Sequence, residues 1–181
     1  MTNNEEPKKE KITWKDRHHA ILRWMCMGSA LFNYETQQGP SVAWSLSKLE
    51  RKIYPNDDEY IEAMDNHFQY FNTTTAMANI ILGATDAMEE KDGIKSKDAV
   101  QALKTSLMGP FAGVGDTIIW ILLPTVMGSI AGYMALQGNP IGAIIWILIG
   151  MLLFWIRIKL FDLGYNSGVK LVTELGDKLT L

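Results

Sequence analysis

Asp116 is the only charged residue between Leu107 and Ile156. It closes the run Met108-Gly109-Pro110-Phe111-Ala112-Gly113-Val114-Gly115-Asp116, where a proline and three glycines interrupt an apolar segment. In hydrocarbon an ionised carboxylate and unpaired backbone groups cost several kcal/mol unless buried in protein or facing water. Freed amides and carbonyls beside a single acid suit a path for a polar substrate. The same residues could instead form an interfacial turn whose Asp caps a helix starting at Thr117, and Asp116 could serve both ends. No Gly-Lys-Ser/Thr follows and no strand precedes, which excludes a nucleotide loop.

Two further polar patches interrupt apolar helices: Asn33, Glu35, Gln37 and Gln38, then His67, Asn72, Thr73 and Thr74. Amides, carboxylates and hydroxyls beside aromatic rings are what a sugar site needs, directional partners for hydroxyls and a flat apolar face. Helix capping and interhelical hydrogen bonding account for such residues equally well. His67 follows the stripe Tyr60, Met64 and reads as a hydrogen-bonded packing histidine before a catalytic one. His18 and His19 are consecutive and point to different helix faces, so no metal role is expected. The sole cysteine, Cys26, excludes an internal disulfide and any multi-cysteine metal site. With no nucleophile–base pair, the expectation is no catalytic residue, no cofactor and no metal.

The elements that position these residues follow from periodicity. Thr13 can cap a helix through Trp14–Ala30. A second carries Val42, Leu46, Leu49 and Ile53 and ends near Tyr54-Pro55. Asn56 and Glu59 have capping-box spacing for a third, from Asp57 to about Phe71. Thr74 or Thr75 can cap a fourth, closed by Gly93, and a fifth begins near Ser96. No useful alternating strand pattern appears.

Leu107–Ile156 as one helix would run to roughly 75 Å, over twice a bilayer core. It must fold back at Gly138-Asn139-Pro140, giving Ile118–Leu136 and Ile141–Ile156. The expected fold is all-α and integral to the membrane: amphipathic N-terminal helices, then an apolar helical hairpin whose Gly/Pro-rich opening is broken. Its regions are a disordered tail (1–12), an amphipathic helical region (13–106), the transmembrane hairpin (107–160) and the start of a C-terminal amphipathic region (161–181). Lys95, Lys97 and Lys104 precede the hairpin and Arg157 and Lys159 follow it. Positive flanks place the N-terminus and both hairpin ends in the cytoplasm. No basic cluster suggests nucleic acid, and no apolar stretch near the N-terminus suggests a secretory signal.

Five motifs in one order carry a resemblance: Phe32-Asn33-Tyr34-Glu35 with Gln38-Gly39, Phe71-Asn72-Thr73, Ala87-Met88-Glu89-Glu90, Met108–Asp116, and Gly164-Tyr165-Asn166-Ser167-Gly168. Together they resemble the IID membrane subunit of the mannose-family phosphoenolpyruvate:sugar phosphotransferase system (PTS), from about Ile12 onward. That resemblance implies a permease subunit in a bacterial cytoplasmic membrane, working with a IIC subunit in a trimer of IIC–IID heterodimers. A sugar such as mannose or glucose would bind between the two and be phosphorylated by cytoplasmic IIA/IIB carriers, with no phosphorylation site here. By this analogy Asn33, Glu35, Gln38, His67, Asn72, Thr73, Gly115 and Asp116 are candidates for the sugar path.

Two departures from the family pattern stand out. Thr74-Thr75 replaces its usual histidine-proline, and family members continue past the position of Leu181 into another apolar region. The second feature makes the terminal stretch look cut short. It keeps an alternative open, a non-transporting IID-like scaffold or regulator of a IIC partner.

Overall fold

The computed structural model describes residues 10–179, with side chains described through Gly168 and at Lys170. The first nine residues of the expected tail, and the faces of Val169–Leu181 apart from Lys170, lie outside that description. The helices are α1 (Trp14–Met27), α2 (Gly39–Ile53), α3 (Asp57–Phe68), α4 (Thr75–Asp92), α5 (Lys97–Gly115), α6 (Leu123–Leu136) and α7 (Ile141–Leu179). A 3-10 turn, Gly93–Ser96, joins α4 to α5, and a π-helical segment, Asp116–Leu122, joins α5 to α6. Among the described residues the only β-type pairings are two isolated bridges, Asn33 with Gln37 and Gln37 with Phe71.

Local chemistry sets the helix starts. Thr13 and Asp16 form a reciprocal capping box at α1, Thr13 accepting from the Asp16 amide and Asp16 accepting from the Thr13 amide. Asp16 also pairs with Lys52 at 2.9 Å. The Thr13 hydroxyl, with help from Lys52, holds the Asp16 carboxyl down to about 2. Asn56 Oδ1 accepts from the Asp58 and Glu59 amides at 2.8 and 3.2 Å and caps α3. Helix α3 ends at Phe68, short of the expected Phe71. Phe71 is drawn out to exchange backbone bonds with Thr36 and Gln38.

The core lies between α1, α2, α4 and the later part of α7. Trp24 sits in it, its Nε1 donating to the Thr75 carbonyl at 2.9 Å and its ring edge-on to Phe71. Leu46, Ile53, Ile81, Leu82 and Phe161 fill the rest. Helices α4 and α7 approach backbone to backbone. A Cβ on Gly83 would strike the Phe161 carbonyl, and one on Gly164 the Ile80 carbonyl. Only glycine permits that spacing.

The apolar hairpin forms with its turn where the sequence put it. Gly138 takes φ +73°, and Gly138 and Asn139 donate to the Ala135 and Met134 carbonyls, closing α6. Its sides remain uncovered: Trp120, Ile121, Ile147 and Met151 are each more than 60% exposed. Such a surface needs lipid or another apolar partner.

Two boundaries differ from expectation. The Gly/Pro-rich stretch stays helical, with Pro110 inside α5, and its irregularity appears downstream as the π-helical segment. Proline removes one backbone donor without unwinding the chain when neighbouring groups absorb the register change. Helix α7 runs on past Ile156 for 39 residues in all, because its stretch 157–168 packs on α4.

Candidate functional site

The loop 28–38 between α1 and α2 is shaped by Asn33. Its Oδ1 accepts from the Glu35 and Thr36 amides at 2.8 and 2.7 Å, and its Nδ2 donates to Thr36 Oγ1. These bonds fold the side chain back on its own loop and leave Glu35 exposed. Beyond the turn, Gln38 is buried and clasps the α3–α4 connection twice. Its Nε2 donates to the Thr73 carbonyl at 2.8 Å, and its Oε1 accepts from the Thr73 amide at 3.1 Å. Asn72 stays exposed beside it, while Thr73 is buried with its hydroxyl unpartnered.

Thr74 continues the chain of contacts. It occupies the capping position of α4 without capping it. Its hydroxyl faces the other way, within 3.2 Å of the Ala112 carbonyl and 2.5 Å of Asp116 Oδ1. A Cβ on Gly115 would come within 2.6 Å of Thr74 Cβ, so the glycine lets these two helices touch. Asp116, exposed, begins the π-helical segment. The structure thus links Asn33, Glu35, Gln38, Asn72, Thr73, Gly115 and Asp116 through three adjoining segments, with Thr74 as the joint. Glu35, Asn72 and Asp116 present the exposed polar groups.

His67 belongs elsewhere. It is fully buried at the end of α3, its Nε2 2.9 Å from Glu89 Oε2 and 3.7 Å from Glu50 Oε1. Burial alone would lower its affinity for a proton, but Glu89 and Glu50 outweigh that and hold it up to about 9. Burial, reinforced by the nearby Glu89 charge, pushes the Glu50 carboxyl up to about 7. Asp86 stands hydrogen-bonded to Glu50 when one of the two carries a proton. The phenol of Tyr54, facing Glu89 at 3.5 Å, is raised further by burial and the same acids. Lys104 closes the network, its Nζ donating to the Asn66 carbonyl at 2.9 Å.

Glu50, His67 and Glu89 each offer a ligand atom, all within 4.8 Å of one another, a spacing one divalent cation could bridge. Sequence reading passed over Glu50 and Asp86, and took Lys104, which is fully buried, only for a positive flank of the hairpin. The available signal was register: each lies four residues after a buried apolar residue, Leu46, Leu82 and Val100 respectively, on the inward face.

The model of the PTS system mannose/fructose/sorbose family IID component matches residues 11–181. The chain belongs to that family. It is 33% identical to the mannose-specific EIID component of Escherichia coli K12 over 92% of its own length, which is 60% of that relative's. It is 30% identical to the sorbose-specific EIID component of Klebsiella pneumoniae, covering 94% of this chain and 63% of the other. Against the fructose permease IID component of Bacillus subtilis the figures are 32%, 93% and 62%.

This IID chain therefore spans about three fifths of the length of the curated relatives it matches. Its fold is also similar to a chain of the mannose transporter ManYZ, solved by cryo-electron microscopy with microcin E492. The TM-score is 0.84 at 29% identity, over 92% of this chain and 62% of that one. With the two long apolar helical stretches, the IID family places the protein in a membrane.

Proposed function

We propose that this IID chain forms one half of a sugar-translocating unit, with a IIC subunit supplying the other half. IIA/IIB carriers would phosphorylate the sugar on arrival. The single observation that carries this reading is the contact of Thr74 with Asp116. It holds one acid at the start of the apolar hairpin, beside the polar segments 33–38 and 72–74. Exposed Glu35, Asn72 and Asp116 would face the sugar hydroxyls, Gly115 and Thr73 would shape the wall, and Asn33 and Gln38 would hold the two loops in register. His67 acts at a distance, by fixing α3 to α2 and α4. Positive residues on both hairpin flanks support cytoplasmic ends, with Gly138–Pro140 on the outer side. The relatives' names, mannose, sorbose and fructose, support a hexose as the substrate class.

The test is uptake of labelled mannose, fructose and sorbose in a bacterial strain lacking its own IID, with this chain and a IIC partner supplied. Asp116→Ala and Asn72→Ala should each reduce uptake while the two subunits still copurify. Unchanged uptake in both variants removes these residues from the path. Assembly by the unaltered chain, with no uptake of any sugar, would leave only a scaffold role.

A further inference from the structure

Arg157 is the first charge after the apolar run Ile141–Ile156, and it stands apart from the other three arginines. Arg17 lies over the Tyr165 ring, Arg23 over Trp44 with a bond to Ser47, and Arg51 pairs with Asp57. The Arg157 guanidinium has no hydrogen-bond, ion-pair or ring partner among the described residues, and its Nε is buried. Glu50 and Asp86 can meet burial by sharing a proton. A guanidinium cannot shed its own, so it calls for an acceptor, and an anion answers it best.

Two cavities meet at this residue, sharing Thr75, Trp120 and Arg157. One, of about 200 Å³, runs between the helices of the hairpin past Ile119, Phe154 and Leu160. The other, of about 370 Å³, opens beneath the end of α1 at Cys26, Gly28 and Ser29. No Asp or Glu lines either one. A cation without a counterion among the described residues thus sits between an apolar slot and a half-polar one, at the end of a membrane-spanning run.

We propose that this is a binding site for an anionic phospholipid, with its phosphate on Arg157, its headgroup in the half-polar cavity and part of an acyl chain in the apolar one. Guanidinium binds phosphate oxygens bidentately, and basic pockets between membrane helices recognise anionic headgroups. The apolar slot decides among anions. A free phosphate, or the carboxylate of a partner subunit, would neutralise Arg157 and leave that slot unfilled, whereas a lipid satisfies both. The site shares only the wall residue Thr74 with the proposed sugar path, and neither Arg157 nor Gly150 belongs to that path.

The experiment is native mass spectrometry of the full chain in mild detergent, titrated with phosphatidylglycerol, cardiolipin or phosphatidylcholine. The anionic lipids should be retained about five- to tenfold better than phosphatidylcholine, as one well-placed cation allows. Arg157→Gln should abolish that preference, while Lys159→Gln, two residues on and over the Trp155 ring, should keep it. Gly150 lines the apolar cavity, and a Cβ there meets no atom within 4 Å. Gly150→Leu should therefore block the acyl chain, lowering retention of every lipid with Arg157 intact. That variant carries the test should Arg157→Gln fail to fold.

Equal retention by the Arg157 variant, or no preference for anionic lipid, overturns the proposal. So does displacement of lipid by millimolar inorganic phosphate, which would mark a site for a free anion. Loss of lipid in the copurified IIC–IID complex, with a IIC carboxylate crosslinking at position 157, overturns it in favour of a protein partner.

Discussion

Thr74 Oγ1 and Asp116 Oδ1 stand 2.5 Å apart, joining the first residue before α4 to the first residue after α5. A threonine that its sequence position offers as a helix cap spends its hydroxyl on the hairpin's only acid instead. The contact ties the α3–α4 connection to the start of the apolar region. Whatever moves the π-helical segment moves that loop with it.

Thr74→Val keeps the shape and removes the donor. Because Asp116 is exposed, the loss in stability should be only about 1 kcal/mol, roughly 2–4 °C in thermal midpoint. Sugar uptake should fall more than that small change explains, since the carboxylate loses its orientation. Scanning fluorimetry on the purified chain, read beside uptake in cells, checks both halves. Normal uptake would show that Asp116 needs no such positioning.

Glu89→Gln should be far more costly. It leaves the buried His67 facing one acid in place of two, and breaking a buried pair typically costs about 3–5 kcal/mol. Denaturant unfolding followed by circular dichroism measures it. A loss below about 1 kcal/mol would mean that a bound cation or a shift of protons compensates.

The same network fixes how stability depends on pH. His67 titrates near 6.5 unfolded and about 9 folded, so its contribution is complete below 6.5 and lost as pH rises through 9. Glu50 goes from 4.5 to about 7, so the folded state again holds more protons, and stability declines between those values. Asp16 has the opposite sign. Its carboxyl drops from 3.8 to about 2, a contribution present above 3.8 and lost as pH falls to 2. Burial lowers the Lys104 ammonium to about 8, a contribution of opposite sign above that pH. Thermal midpoints should therefore fall steadily from pH 5 to 8, and His67→Phe should flatten the upper half of that slope. A profile rising across that range would contradict the assignment.

Gly164→Ala tests the contact between α4 and α7. The added methyl would meet the Ile80 carbonyl, a backbone atom that cannot rotate away. Overpacking of this kind costs about 1–3 kcal/mol. Gly132→Ala, where a Cβ meets nothing within 4 Å, should leave stability unchanged or slightly raised. Similar thermal midpoints for the two variants would show that the helices are not in backbone contact.

Residues near one another in sequence made much of this protein legible. The hairpin turn at Gly138, the caps at Thr13 and Asn56, and the end of α4 at Gly93 are decided within a few residues, by local hydrogen bonds and backbone preference. The long uncharged run declared a membrane segment because transfer free energy sums residue by residue. The linked motifs pointed to the IID family for the same reason, being local strings in a recognisable order.

Tertiary structure decided what those strings do to one another. Only packing could show that Gln38 clasps Thr73, or that Thr74 turns from its own helix to Asp116. It alone withdrew His67 into a network with Glu50 and Glu89, and left Arg157 without a partner among the described residues. Such outcomes depend on contacts across 17 to 42 residues of chain, where the strength of a charge or a hydrogen bond is set by burial and by what else is near. Composition and periodicity carry no record of that, because burial belongs to the assembled fold and to no single segment of it.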